Sequence, residues 1–400
     1  MEIDPGAGLH YLDNASTTFP KPAQVLAAMT DFAASAGVTP GRATFDLAMV
    51  AERMVEGCRK ALCELFHGDR PDRVVFGHNA TDALNLVIFG LLRDGGHVVS
   101  TRLEHNSVLR PIAHCIDERG ARATLVPFDG RGYVDPDDVA KAIEKDTRLV
   151  VLNHASNVLG TVQPVAEIGA VCRAAGVPLC LDAAQSAGVV PIDMQAMHVD
   201  VVAFTGHKSL LGPTGTGGLC VGDGVEIPQT RAGGTGVRSA ARRHPADYPL
   251  RLEYGTPNTI GIAGLARGLA FIAEQGGVTA IHAREMELAR VLWQTLRETE
   301  GVTLHCAESL VDRTPVFSFN FVGMDPAQAG ARLDVDFDVA CRPGLHCAPL
   351  VHESIGTAPD GSVRVSIGAL TPRADVEAGA AAIRALAAEI RGSATRRAKS

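Results

Sequence analysis

The sequence predicts a wound α/β domain with a mainly parallel sheet, joined to a smaller α+β domain. Three observations predict it. Six short apolar runs in the first half are continuous rather than alternating, as in strands buried on both faces. Helix-period stretches separate them, giving the strand–helix–strand rhythm of a wound sheet. After about residue 258 the rhythm changes to paired helices and short strands.

The runs are Arg73–Phe76, His97–Ser100, Ala123–Val126, Leu149–Leu152, Val177–Leu181 and Val201–Phe204. Helix-like segments lie at 108–119, 135–144 and 165–175, the last with Val165, Ile168 and Cys172 at helical spacing. Further on come helix-like stretches at 261–274 and 279–299, short strands near 301–306 and 315–321, and a closing strand within Gly361–Ile367. The last helix, 374–390, has Thr371 as expected N-cap, Pro372 in its first turn and a stripe of Val376, Ile383, Leu386 and Ile390. The organisation expected is a large domain over 16–259, a small domain made of 1–15 and 260–391, and a frayed tail at 392–400.

Composition narrows the function classes. The chain has 400 residues, 46% apolar and 20% charged, which excludes a mostly disordered protein. A formal charge of −8, with no basic block before Arg396, Arg397 and Lys399, argues against nucleic acid or an anionic membrane as partner. No run reaches the ~18 apolar residues needed to span a bilayer. The acidic start, Met1–Pro5, lacks the order of a signal peptide. Nine cysteines without a C-x-x-C pair indicate free thiols in a reducing compartment, so a cytoplasmic chain is expected, with no metal site.

Ligands of a parallel sheet gather at the carboxyl ends of its strands, and three such ends carry unusual polar groups. After Val74–Phe76 comes Gly77-His78-Asn79-Ala80-Thr81, a glycine turn into a helix start whose free N–H groups suit a phosphate. Alone, Asn79 and Thr81 read as ordinary caps. After Leu179–Leu181 comes Asp182, a carboxylate costly to desolvate without a cationic partner, which alone reads as another cap. After Val201–Phe204 comes Thr205-Gly206-His207-Lys208, where a buried lysine has the lowered pKa of a Schiff-base nucleophile; the plain alternative is a lysine snorkelling at a sheet edge. The following Gly212–Gly218 reads as a flexible stretch passing close to a bulky ligand. One explanation covers all three ends. A phosphate cradle, a carboxylate and an amine on one rim are what pyridoxal phosphate needs, with the carboxylate keeping the ring nitrogen protonated.

With these pieces the chain resembles the cysteine desulfurases, in the class V aminotransferase group of fold-type I pyridoxal-phosphate enzymes. The likeness runs from Tyr11-Leu12-Asp13-Asn14-Ala15 to about residue 390. It is carried by Leu103-Glu104-His105-Asn106-Ser107, His154–Gly160, Asp182-Ala183-Ala184-Gln185, Thr205–Lys208, Gly255-Thr256-Pro257-Asn258 and Arg342–Pro349. The resemblance implies that Lys208 carries the cofactor, Asp182 pairs with its ring nitrogen and Gln185 with its ring hydroxyl. His105 would stack on the ring and move protons. Ala80, Thr81, Thr205 and His207, with Asn79, would hold the phosphate, and Thr235 would reach the phosphate of a partner subunit. Asn157 and Arg364, with Arg342, would fix the substrate carboxylate, Arg364 by a bidentate contact.

Cys347 separates desulfurases from relatives that share the lysine. It lies in a Gly/Pro loop beside His346 and five residues after Arg342, neighbours that favour a thiolate. The other eight cysteines read mainly as packed apolar thiols. The expected reaction takes sulfur from L-cysteine, leaves L-alanine and forms a persulfide on Cys347 for a protein or small-molecule acceptor. Cys347 precedes Arg364 by only 17 residues, which resembles the branch with a compact cysteine loop that also contains selenocysteine lyases. A homodimer is implied by the resemblance alone. Alternatives are a selenocysteine lyase, or an aminotransferase or C–S lyase on a specialised amino acid. One departure stands out: Pro40-Gly41-Arg42-Ala43-Thr44-Phe45 lacks the family's histidine, so Phe45 is expected to narrow or dry the entrance.

Overall fold

The computed structural model describes residues 8–41, 45–238 and 240–397. The chain opens with a two-residue strand, β1 (His10–Tyr11), and two helices, α1 (Ala23–Ala36) and α2 (Asp46–Leu65). Strand and helix then alternate through β2 (Val74–Gly77), α3 (Ala80–Leu91), β3 (Gly96–Thr101), α4 (Asn106–Arg119), β4 (Ala121–Val126), α5 (Pro136–Ala142), β5 (Thr147–Asn153), α6 (Val165–Ala175) and β6 (Leu179–Asp182). Two strands with no helix between them, β7 (Val201–Thr205) and β8 (Gly217–Val221), complete the run.

These strands form a seven-stranded sheet in the order β2-β8-β7-β6-β5-β3-β4. All neighbours are parallel except β8, which is antiparallel to both β2 and β7. Burial on both faces explains the continuous apolar runs: Leu152, Leu181 and Phe204 enter one core, and Val151, Cys180 and Ala203 the other. Register aligns Asn153 with Asp182 and Asp182 with Ala203, so the carboxyl ends of β5, β6 and β7 meet on one rim.

Strand β8 corrects the reading of Gly212–Gly218 as a flexible stretch. Gly217 and Gly218 are strand residues, and glycine is there for space. A Cβ on Gly218 would sit 2.0 Å from the Val75 carbonyl oxygen, at a φ of +156°. The two glycines conceal the strand from any apolar pattern.

The rest of the chain contains α7 (Thr259–Glu274), α8 (Gly277–Glu298), β9 (Val302–Leu304), β10 (Val316–Phe321), α9 (Pro326–Phe337), β11 (Val339–Ala340), β12 (Arg342–Gly344), α10 (Pro349–Ser354), β13 (Ser362–Ser366) and α11 (Arg373–Arg397). An antiparallel sheet, β12-β13-β10-β9, shares a separate core with α8, α9 and α11 through Phe317, Phe319, Leu292, Leu333, Val376 and Ile383. β1 pairs with β11, and Leu12 lies in this same core.

Three details differ from expectation. Helix α7 packs Ile262, Leu265 and Ile272 into the large-domain core with Phe204 and Leu210, because its apolar face covers the chain just past β7. The hydroxyl of Thr371 does not point forward as a cap; it accepts from the Gly368 N–H and the Asn14 amide. Helix α11 runs to Arg397, through the start of the expected tail. Gly392 alone opposes a helix by only about 1 kcal/mol, and no proline follows it.

Candidate active site

The rim of the large sheet and strands β12 and β13 of the small sheet enclose a cavity of about 270 Å³. Its lining includes Asn79, Ala80, Thr81, His105, Asn157, Asp182, Gln185, Thr205, His207, Lys208, Arg342 and Arg364. Residues nearly three hundred positions apart in sequence thus converge on one space, as the three strand ends predicted.

The phosphate-cradle end is built first by helix α3. Asn79 is its N-cap, accepting the Asp82 N–H at 2.9 Å, and the Ala80 and Thr81 amides belong to the first turn, where the helix dipole favours an anion. A Cβ on Gly217 would lie 2.6 Å from the Asn79 Cα, so only glycine lets β8 pass beneath this turn. Thr81 Oγ1 meets Ser107 Oγ at 2.7 Å, while the buried Thr205 hydroxyl has no hydrogen-bond partner among the described residues. An orphaned hydroxyl beside a free helix N-terminus fits a bound phosphate ester.

Asp182 ends β6 and accepts the Ala184 N–H at 2.9 Å, an Asx turn with no helix after it. Burial raises its pKa, against the pull of that N–H and of Lys208. Burial likewise lowers Lys208 to about 8; Asp182 opposes this, and Arg364 and Arg342 reinforce it. The amine is therefore far more available as a nucleophile at neutral pH than an ordinary lysine. Its backbone is clamped from the N-terminal segment: Thr18 Oγ1 donates to the Lys208 carbonyl at 2.9 Å, and Thr17 Oγ1 to the His207 carbonyl at 3.1 Å. Lys21 Nζ also donates to the His207 carbonyl. Gln185 Nε2 donates to the Ala15 carbonyl at 2.8 Å.

His105 caps α4, its Nδ1 accepting the Ser107 N–H at 3.0 Å. Burial, then Lys208 and Arg342, lower its pKa to about 4. The ring is neutral near pH 7, and with Nδ1 accepting, its proton sits on Nε2. His207 is held near 4 by burial, Lys208 and Lys21. The preceding Glu104, whose role the sequence does not reveal, is fully buried with the Thr101 hydroxyl and the Asn153 N–H on Oε1, and burial pushes it up to about 8.

Arg342 and Arg364 stand directly opposite each other on β12 and β13. Arg364 is fully buried, with Nη1 donating to the Asn157 carbonyl at 3.1 Å and Nη2 to Asp13 Oδ1 at 2.7 Å and Ser16 Oγ at 2.8 Å. Both Nη2 protons are committed, so the bidentate grip expected of Arg364 requires Asp13 or Ser16 to give way. Asn157 turns its Nδ2 to the His346 carbonyl at 2.7 Å and so supports the cysteine loop.

Cys347 borders the site without lining the cavity. It is exposed, and its sulfur lies 3.9 Å from Arg342 Nη2. His346 and Cys347 both have positive φ, +49° and +58°, a conformation costing about 1–2 kcal/mol per non-glycine residue. The loop is held by the Asn106 N–H on the Cys347 carbonyl at 2.7 Å and by His346 Nε2 against the Ser362 carbonyl at 3.1 Å. By contrast Cys58, Cys63, Cys115, Cys172, Cys180 and Cys220 are buried, and burial pushes Cys58 and Cys172 up to about 12. Thiols shifted upward in this way, as Cys58 and Cys172 are, make poor nucleophiles.

Two expected residues lie elsewhere in this chain. Thr235 lines a different cavity, of about 330 Å³, and donates to the Val237 carbonyl. Phe45 is 52% exposed and does not line the candidate site, while Arg42, Ala43 and Thr44 fall outside the described residues. Asp13 and Ser107 fall within motifs that the sequence already marks, whereas Ser16 and Asn153 belong to the site without any sequence signal, because their partners, Arg342 and Arg364 for Ser16 and Glu104 for Asn153, lie far away in the chain.

The model of the family described as aminotransferase class-V matches residues 10–378. A probable cysteine desulfurase of Methanothermobacter thermautotrophicus is 34% identical over 363 residues, 89% of each chain. Another, of Aeropyrum pernix, is 34% identical over 386 residues, 92% of each chain. Among solved structures, the apo cysteine desulfurase of Thermococcus onnurineus NA1 superposes with a TM-score of 0.88 at 30% identity, covering 95% of each chain. No helix among the described residues is long and apolar enough to cross a membrane. The family is one of pyridoxal-phosphate enzymes, and the donor set at this rim fits that cofactor. The chain belongs to the class V aminotransferase family, in its cysteine desulfurase group.

Proposed function

We propose that this chain is a cysteine desulfurase in which Lys208 binds pyridoxal phosphate and Cys347 receives the sulfur. The observation that carries the reading is the exposed, strained Cys347 held 3.9 Å from Arg342, on the border of the cavity that contains Lys208 and Asp182. When bound, the cofactor supplies an electron sink at the substrate Cα. Asp182 would keep the ring nitrogen charged, Gln185 would pair with the ring hydroxyl, and the α3 N-terminus with Thr205 and His207 would hold the phosphate. Lys208, its amine lowered to about 8, would accept the Cα proton. Arg364, Arg342 and Asn157 orient the substrate carboxylate. His105, neutral with Nε2 protonated, would stack on the ring and move protons. The Cys347 thiolate attacks the substrate sulfur, so the C–S bond breaks as the S–S bond forms. L-Cysteine plus the Cys347 thiol give L-alanine plus the Cys347 persulfide, with no outside oxidant.

An acceptor protein or small thiol then takes the sulfur. The short tether between Cys347 and Arg364 supports a compact loop to which the acceptor must come, so turnover without one is slow. Thr235 lies away from its own chain's cavity, which supports a homodimer in which it reaches the partner's phosphate. The many buried free thiols suit a reducing, cytoplasmic setting.

The test is product analysis with the cofactor-loaded protein, L-cysteine and excess dithiol. Alanine and sulfide in equal amounts are expected. Pyruvate with ammonia would mark a C–S lyase, and dependence on a keto-acid acceptor would mark an aminotransferase.

A further inference from the structure

Ser16, between β1 and α1 on the cavity wall, has a role the reading above leaves unused. Its hydroxyl donates to Asp13 Oδ1 at 2.9 Å and accepts from Arg342 Nη1 at 3.1 Å and Arg364 Nη2 at 2.8 Å. A serine oxygen offers one proton and two lone pairs, and here all three are engaged. The two arginines it joins are direct cross-strand partners, an arrangement that repels. Asp13 offsets one of them by its 2.7 Å contact with Arg364. Among the described residues Arg342 makes no ion pair; its side chain rests on the Ser16 oxygen and, through Nη2, on the Cys347 sulfur at 3.9 Å. Without Ser16, Arg342 would lose the one oxygen ligand it has among the described residues and swing away from its like-charged neighbour.

We propose that Ser16 is a positioning residue that fixes both guanidinium groups together, holding Arg342 against the Cys347 thiol and keeping Arg364 in place while Asp13 gives up its Nη2 hydrogen bond to the substrate carboxylate. The carboxylate half rests on the desulfurase reading. The thiol half does not, because that contact exists in the free chain. Asp13 anchors the arrangement from a backbone bridge to Ser366, so the junction is tied to β13 itself.

The experiment compares the cofactor-loaded wild type with Ser16→Ala, Ser16→Gly and Ser16→Thr. One arm follows alkylation of Cys347 by iodoacetamide at pH 7 without substrate; the other measures KM and kcat for alanine formation from L-cysteine. Loss of one hydrogen-bond junction is worth a factor of about three to ten. Alkylation is expected to slow about threefold and KM to rise about fivefold in the Ala and Gly variants, with the Lys208-bound cofactor absorbance unchanged. Ser16→Thr, which keeps the hydroxyl, is expected to restore both. Unchanged alkylation in Ser16→Ala and Ser16→Gly, or a change in kcat with KM unmoved, overturns the proposal. A wild type that makes no alanine overturns the desulfurase reading instead, and the alkylation arm still decides the role of Ser16.

Discussion

Lys208 lies just past the end of a fully buried strand, among groups held by backbone hydrogen bonds, whereas Cys347 lies on an exposed loop with two successive residues at positive φ. The first setting is the drier of the two, with Lys208 half-buried and its carbonyl held by Thr18. It lowers the amine to about 8, keeps His105 neutral and leaves Asp182 facing a cation. The second is open on one side and steadied by single contacts to Arg342, Asn106 and Asn157. The difference matches the division of labour. Chemistry at Cα needs water excluded and charges fixed, while the sulfur must leave the enzyme, so the group that carries it stays at the surface.

The largest expected effects break one side and spare the other. Lys208→Ala should abolish covalent cofactor uptake and reduce alanine formation by at least about 10³-fold, as loss of a nucleophile does; absorbance of the loaded protein and product assay check this. Cys347→Ser should cost a similar factor in sulfur release, yet leave the substrate-induced change in cofactor absorbance intact. If both variants lost that absorbance change, the two sides would not be separable.

Arg364→Lys comes next. It keeps a charge but loses the planar fork shared by Asn157, Asp13 and Ser16, and KM for L-cysteine should rise roughly 10- to 100-fold with a smaller change in kcat. Steady-state kinetics reads this directly.

The dry side also has a pH signature. Lys208 titrates near 8 in the folded chain and near its ordinary 10.5 when unfolded. Between those values the unfolded chain binds more protons, so this group makes stability rise with pH across that window. Covalent uptake of pyridoxal phosphate by the cofactor-free chain should accordingly accelerate with pH and level off above about 8, where the amine is already neutral. Continued acceleration past 10 in stopped-flow absorbance would mean an ordinary, solvated lysine.

Asn79→Ala should have the smallest effect, about 1 kcal/mol of stability from the lost α3 cap, with weaker cofactor retention measured by dialysis.

The two sides also differed in how far they could be read from the sequence. Asp182 alone reads as a cap and Lys208 alone as a snorkelling lysine; they stand out together, because a carboxylate, an amine and the Asn79–Thr81 turn at three strand ends share one explanation. Asn79 was readable as a cap, and it is one. Strand β8 was hidden because Gly217 and Gly218 serve close packing and carry no apolar signal. Asp13 is marked by its place in Tyr11–Ala15 but its pairing is not, and Ser16 is silent altogether: their partner Arg364 is 351 and 348 residues away, and no local pattern encodes such a pairing. Thr371 was misread because its hydroxyl had a tertiary partner, Asn14, as an alternative to the helix end. Local rules succeeded where a residue's environment is set by its own strand, and failed where two distant segments share one polar atom.

The central claim is that Cys347 takes the sulfur while Lys208 holds the cofactor. Mass spectrometry of the peptide containing Cys347, after one turnover with L-cysteine and rapid blocking of thiols, tests it most directly. A gain of about 32 Da, one sulfur atom, on Cys347 and on no buried cysteine is the predicted result. Alanine formed with Cys347 unmodified, or the added sulfur found on another cysteine, would contradict it.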